Sequence, residues 1–168
     1  MNWNKVGHID SSIIGDDFLN YNYTKQPLKN KSELDRWRNQ GYYHKSFLGS
    51  MYNSKNPMPD WVYEIASQLN LEKCGFVFYR MNQLDIMPPH VDHFDTYCKV
   101  FNVDRKLVSR TIVFLEDWKP GHYFEYDGVG LVNWKRGDYV MYSTDTPHAA
   151  SNIGIEPRYT LQITGVLK

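Results

Sequence analysis

The sequence predicts a mainly β domain in which short strands close into a jelly roll or squashed barrel, with N-terminal helices packed on one sheet. Three observations predict it. From about Cys74 onward, short strand-like runs follow one another, separated by turn signals such as Lys119-Pro120-Gly121, Asp127-Gly128 and Arg136-Gly137-Asp138. Aromatic residues make up 15% of the chain, including 13 Tyr and 5 Trp, which suits pleated, half-buried surfaces and amphipathic pocket walls. Before residue 73, the clearest apolar spacing is helical. A chain of 168 residues holds one domain with a real core, so we expect a single unit, with 1–73 as mixed helical support and 74–168 as the jelly-roll core.

In chain order, residues 1–30 are polar and irregular, with a strand or two expected around Ile9, Ile13-Ile14 and Phe18-Leu19. Lys31 to Gly41 reads as a short helix. Ser32 is its candidate N-cap, Gly41 its stop, and Leu34 and Trp37 its buried stripe. Residues 42–57 read as loop. A second helix starts after Pro59 and ends near Leu69-Asn70, with Trp61, Ile65, Gln68 and Leu69 on one side and Val62 and Ala66 widening the stripe. Strands are then expected at Cys74–Met81, Ser109–Leu115, Tyr123–Tyr126, Gly130–Trp134, Asp138–Tyr142, His148–Asn152 and Arg158–Val166. In the last, Arg158, Thr160, Gln162 and Thr164 share one face and Tyr159, Leu161 and Ile163 the other. That pattern serves a cavity inside and helices outside, or a plain solvent-facing strand.

Composition narrows the function classes. Acidic and basic residues balance at 19 each, which argues against a broad nucleic-acid or anionic-membrane surface. Cys74 and Cys98 form no C-x-x-C pair, so neither a disulfide framework nor a thiolate metal site is indicated. The first residues lack an apolar leader and no apolar run approaches membrane-spanning length, so a cytoplasmic protein is expected.

The chemistry centres on Pro88-Pro89-His90-Val91-Asp92. Two prolines favour extended backbone, and on a strand positions i and i+2 project from one face, so His90 and Asp92 converge. His148, in Thr146-Pro147-His148, supplies a third ligand. Two imidazoles and a carboxylate on one side of a metal, with open positions opposite, form the facial triad of non-haem Fe(II) oxygenases. A second H-x-D, His93 and Asp95, has opposite parity and reads as the start of a loop. Residues 93–108 then form either a lid or a surface connection.

His90-x-Asp92, His148 and Arg158 ten residues further on resemble the 2-oxoglutarate/Fe(II)-dependent dioxygenases, over roughly Cys74 to Gly165. The resemblance implies a double-stranded β-helix (cupin-like) core, with Fe(II) on His90, Asp92 and His148, and 2-oxoglutarate and O2 as co-substrates. Arg158 would grip the remote carboxylate of 2-oxoglutarate in a bidentate way, with Thr160 beside it as a hydroxyl donor. Tyr79 is a further candidate donor to 2-oxoglutarate. Arg110 is read as a second grip on 2-oxoglutarate or a substrate carboxylate, or as a salt-bridged strand-end arginine. Trp118, His122, Tyr123 and Tyr126 are candidates for a substrate wall, whereas Trp134 reads as core. The pattern resembles the prolyl 4-hydroxylases and the aspartyl/asparaginyl β-hydroxylases. It departs from the first at Met81, where a tyrosine is expected, and from the second in having Asp92 as a ligand. The implied activity is hydroxylation of an amino-acid residue in a protein or peptide, with a free amino acid or other small molecule behind it. A cupin-like metalloenzyme that does not use 2-oxoglutarate, and a metal-free β-sandwich binding module, are the rival classes.

Overall fold

The structure is a computed structural model and describes residues 4–25, 31–42 and 48–168. In chain order, the N-terminal elements are β1 (Asn4–His8), α1 (Lys31–Asn39), β2 (Ser50–Asn53) and α2 (Asp60–Gln68). The next are β3 (Leu71–Met81), β4 (Ile86–His90), α3 (Asp95–Phe101) and β5 (Val108–Phe114). The last are β6 (His122–Tyr126), β7 (Val129–Leu131), β8 (Asp138–Ser143), β9 (His148–Asn152) and β10 (Arg158–Leu167). Two antiparallel sheets result, a six-stranded one in the order β1-β8-β5-β10-β3-β2 and a four-stranded one in the order β4-β9-β6-β7. From β3 to β10 the chain crosses between the sheets at β4, β5, β6, β8, β9 and β10. That winding is the double-stranded β-helix expected from the sequence.

The larger sheet buries both faces, and period-two alternation sorts its side chains. Phe76 and Phe78 of β3, Val113 of β5, Met141 of β8, and Leu161 and Ile163 of β10 point outward, packing with Val62, Ile65 and Ala66 of α2 and with Ile9, Ile14 and Phe18. Tyr79, Met81, Ile112, Phe114, Val140 and Tyr142 point inward and meet Phe124, Tyr126 and Ala150 of the smaller sheet. The two readings of β10 therefore resolve in favour of a cavity inside and helices outside. Trp134 is core, stacked on Phe114 with ring centroids 4.1 Å apart.

Other expectations are corrected. The apolar residues at 9–19 form no strand: β1 precedes them, and Ser11–Ile13 and Asp17–Asn20 are 3-10 turns that drop Ile14 and Phe18 into the core. The stretch 42–57 contains β2, a four-residue edge strand that exists only because β3 offers it a partner; residues 43–47 of that stretch lie outside the described residues. The N-terminal part thus contributes strands to the larger sheet as well as helices. Ser32 lies inside α1, and Gln68 of α2 is exposed. Gly41 does stop α1: at φ +96° it lets its own N–H reach the Arg38 carbonyl and that of Tyr42 the Trp37 carbonyl, at 3.0 Å each. The expected Gly130–Trp134 strand is shorter, because the chain leaves the sheet to bury Trp134.

Residues 93–108 are not a plain loop. They hold α3 and a 3-10 turn at Arg105–Leu107. Helix α3 carries no side-chain cap and is bounded by Phe94 and Asn102, both left-handed at φ 55° and 49°. Its start lacks the usual capping side chain, while Asn102 ends it in the left-handed conformation with its N–H on the Cys98 carbonyl.

Strand β4 is an edge strand, the place where a sheet tolerates proline. Its register against β9 runs Ile86↔Ser151 and Met87↔Ala150, then shifts by one residue to His90↔His148. Neither proline has an N–H for the ladder, and the irregularity falls on them. Helix α1 braces this point: Arg36 Nη2 donates to the Pro89 carbonyl at 2.7 Å, and the Trp37 indole N–H donates to the same carbonyl at 3.4 Å.

Phe78 is fully buried at the centre of the outer core, between α2 and the sheet. Phe78→Ala is expected to lower unfolding stability by about 3–5 kcal/mol in urea titrations followed by circular dichroism. A loss below about 1 kcal/mol would contradict this packing.

Candidate metal centre

The register shift sets the site. Met87 and Ala150 line the space between the sheets, so uninterrupted alternation would send His90, three residues after Met87, to the opposite face. The extra residue at the prolines turns it back. His90 then stands opposite His148, with ring centroids 4.2 Å apart. Asp92 follows just beyond the strand end, and one ligand atom from each of the three residues lies within 4.8 Å of the others.

The lone pairs converge. His90 Nδ1 lies 2.9 Å from the Pro88 carbonyl and His148 Nδ1 lies 3.1 Å from the Thr146 carbonyl. A carbonyl only accepts, so each Nδ1 carries the proton and each Nε2 is left as a lone pair. Those Nε2 atoms face Asp92, His90 at 3.6 Å from Oδ1 and His148 at 3.8 Å from Oδ2. Burial lowers the His148 pKa to about 4, which keeps the ring neutral. Two imidazole lone pairs aimed at one carboxylate repel it, and a cation held between them removes the conflict. The donor set therefore fits a metal ion, with its open side toward the cavity.

Arg110 fixes the carboxylate. Its Nε and Nη2 donate to Asp92 Oδ2 at 3.0 and 2.9 Å, and its Nη1 donates to Thr164 Oγ1 at 2.7 Å. Burial alone would push the Asp92 pKa up; the adjacent Arg110 guanidinium instead holds it below the usual carboxylate range. With both Arg110 contacts on Oδ2, Oδ1 is left to a metal. In this structure three of the Arg110 N–H groups are engaged by Asp92 and Thr164 rather than turned to an incoming carboxylate. The salt-bridged alternative holds, with the partner being the candidate metal ligand itself.

Behind the three residues lies an inner cavity of about 150 Å³, lined among others by Tyr79, Tyr142, Arg158 and Thr160. Arg158 is only 3% exposed. Its Nη1 donates to the Tyr123 carbonyl at 2.8 Å, its Nε has no partner, and no carboxylate pairs with it among the described residues. Burial lowers its pKa to about 10, still protonated at neutral pH. Thr160 Oγ1 and Tyr142 Oη are likewise buried without partners. Tyr79 Oη accepts from the Gly49 N–H at 2.9 Å and keeps its own O–H to donate. A buried, unpaired guanidinium beside idle hydroxyls is costly alone and fits an anion delivered into the cavity.

The structure thus brings together His90, Asp92 and His148 and, deeper, Arg158, Thr160 and Tyr79. His93 is not a ligand and lines a separate outer groove, while Asp95 begins α3. The aromatic cluster around residue 122 is not a substrate wall. His122 is buried with Nε2 3.0 Å from the Glu156 carbonyl, the Trp118 indole donates to the His122 carbonyl at 2.8 Å, Tyr126 packs behind Tyr142, and the half-exposed Tyr123 bonds Glu125. Sequence reasoning missed Tyr142, whose inward position the alternation of β8 with Val140 would have revealed.

Arg110→Gln keeps a polar side chain but removes the charge from Asp92. It is expected to weaken divalent-metal binding roughly 10- to 100-fold in anaerobic calorimetric titration, with a smaller loss in Thr164→Val. Unchanged affinity in Arg110→Gln would remove the arginine from any role at the centre.

No protein-family model and no curated protein matches the chain. Solved structures do. A prolyl-4-hydroxylase from Pseudomonas putida is 15% identical, covers 99% of this chain and 92% of its own, and superposes with a TM-score of 0.59. The non-heme alpha-ketoglutarate-dependent epimerase SnoN of nogalamycin biosynthesis is 11% identical, covers 99% of this chain and 76% of its own, and gives 0.61. At these identities the likeness establishes the fold: this chain has the double-stranded β-helix architecture of both, with a two-histidine, one-carboxylate group between its sheets.

Proposed function

We propose that this protein is an Fe(II)- and 2-oxoglutarate-dependent oxygenase, with His90, Asp92 and His148 as the iron ligands. The observation that carries the reading is Arg158, a buried guanidinium without a carboxylate partner among the described residues, in the cavity that the metal-ligand group closes. A small dicarboxylic keto acid suits that cavity, one end toward the metal and the other on Arg158. The rival cupin-type reading leaves Arg158 without an occupant. That one of the similar structures is an alpha-ketoglutarate-dependent epimerase supports the same co-substrate.

When bound, Fe(II) with 2-oxoglutarate and O2 supplies the oxidising power for attack on a C–H bond, leaving succinate and CO2. The chain's residues supply the rest. His90 and His148 offer neutral nitrogens, held in one tautomer by the Pro88 and Thr146 carbonyls. Asp92 supplies one negative charge, positioned by Arg110. Arg158 binds the remote carboxylate, with Thr160, Tyr79 and Tyr142 as hydroxyl partners. Met87, Ile112, Phe124 and Ala150 keep water from the cavity.

The reaction in the proposal is hydroxylation, with an amino-acid residue in a protein or peptide as the substrate expected from sequence. A second reading, a small-molecule substrate, is favoured by the volume of the outer groove, about 770 Å³. No helix of the described residues is long and apolar enough to cross a membrane. A cytoplasmic setting, with free Cys74 and Cys98 and ferrous iron, belongs to the same proposal.

Anaerobic addition of Fe(II) and then 2-oxoglutarate is expected to produce a visible iron-to-keto-acid charge-transfer band. His148→Ala should abolish it. Arg158→Ala should raise the 2-oxoglutarate needed for half-saturation by roughly 10- to 100-fold, the scale of lost charge-assisted hydrogen bonds. A folded, metal-bound protein without the band would overturn the proposal.

A further inference from the structure

A second, larger recess reaches His90 and Asp92 of the same group from the other side. This outer groove has a volume of about 770 Å³ and shares His90, Asp92 and Arg110 with the inner cavity, so these residues form the partition between the two. Its floor is the inward face of β3 and β10, at Gly75, Val77 and Thr164. Trp37 of α1 and Tyr97, Val100 and Phe101 of α3 form its walls. The size suits a drug-sized ligand.

The two recesses differ in charge. The inner cavity holds the unpaired Arg158. In the outer groove, Arg110 is the sole Lys or Arg among the described lining residues; of the carboxylates there, Asp92 pairs with Arg110 and Glu33 with Arg36, and Asp95 adds a further negative charge. Arg110 also has little left to offer. Asp92 takes two of its nitrogens, Thr164 takes the third, and the Phe94 ring lies over the guanidinium at 4.8 Å. An anion entering the groove meets Asp95 and, among the described lining residues, no cation free of a carboxylate partner. A neutral or cationic ring meets aromatic faces, which favour both apolar contact and cation–π contact. An extended peptide is poorly served, because the β3 and β10 backbones that make the floor are already paired with each other and offer no ladder to join.

We propose that the outer groove is the substrate site, and that its ligand is a ring-bearing small molecule, neutral or cationic, without a carboxylate or phosphate. The proposal rests on the oxygenase reading only in calling the ligand a substrate. It runs against an aspartyl side chain as the target.

The test uses three probes with one body, 2-naphthylmethanol, 2-naphthylmethylamine and 2-naphthoate, titrated calorimetrically into the full-length protein without metal. At pH 8 an ordinary imidazole is neutral, so histidine adds no charge. The alcohol and the amine are expected to bind at least tenfold tighter than the carboxylate. Val100→Lys places a cation at an exposed groove position of α3, 71% accessible, where folding is not at risk. It should strengthen naphthoate binding and weaken amine binding, each several-fold; a carboxylate bound at Arg158 instead would not respond. Equal or tighter naphthoate binding in the unaltered protein, no binding of any probe, or an order unmoved by Val100→Lys would each overturn the proposal. So would tighter binding of an uncharged, end-blocked proline-rich decapeptide than of every naphthyl probe. Retained charge selectivity in a protein that lacks the keto-acid band would leave the groove assignment standing and remove only the oxygenase reading.

Discussion

The site depends on the way β4 meets β9. An antiparallel ladder forces residues at matched positions onto the same face, so whichever residue stands opposite His148 shares its surroundings. Pro88 and Pro89 cannot donate to that ladder, and the pairing slips by one residue across them. The slip brings the His90 ring beside the His148 ring rather than outside the sheet. Helix α1 grips the same turn through the Pro89 carbonyl, and the Trp37 ring stands edge-on to His90 at 5.8 Å. A local defect in hydrogen bonding is thereby held in one geometry by tertiary contacts.

Charge is distributed around this point with opposite results on its two sides. Asp92 and Arg110 neutralise each other at the partition, and the arginine's remaining nitrogen is taken by Thr164. The outer groove inherits aromatic walls and no spare cation. The inner cavity keeps Arg158, which donates to the Tyr123 backbone carbonyl and pairs with no carboxylate among the described residues. Burial makes that guanidinium expensive until an anion arrives, so the cost of the empty site becomes selectivity for a carboxylate.

The larger sheet makes both arrangements possible by carrying two cores. Its outward residues pack on α2 and the N-terminal turns, and its inward residues build the cavity. In β10 the two duties alternate residue by residue: Leu161 and Ile163 hold the sheet to the helices, while Arg158 and Thr160 face the cavity. The strand that presents Arg158 is thus pinned between β5 and β3 and packed from behind, which fixes where the cation sits.

Much of this was legible in the chain itself. Period-two alternation in β10 depends only on local backbone geometry, so it marked that strand, its two faces and the position of Arg158 among them. The spacing of His90, Asp92, His148 and Arg158 marked the chemistry, because few other uses need those residue types in that order. Pairing partners were not legible. Strand β2 needs β3 to exist, α3 starts without a capping side chain, and the engagement of Arg110 by Asp92 joins residues 18 positions apart. The one-residue slip at Pro88-Pro89 belongs with these. Sequence put an imidazole at the end of a proline-bearing strand; only the register against β9, a contact between distant segments, decided which way it faces.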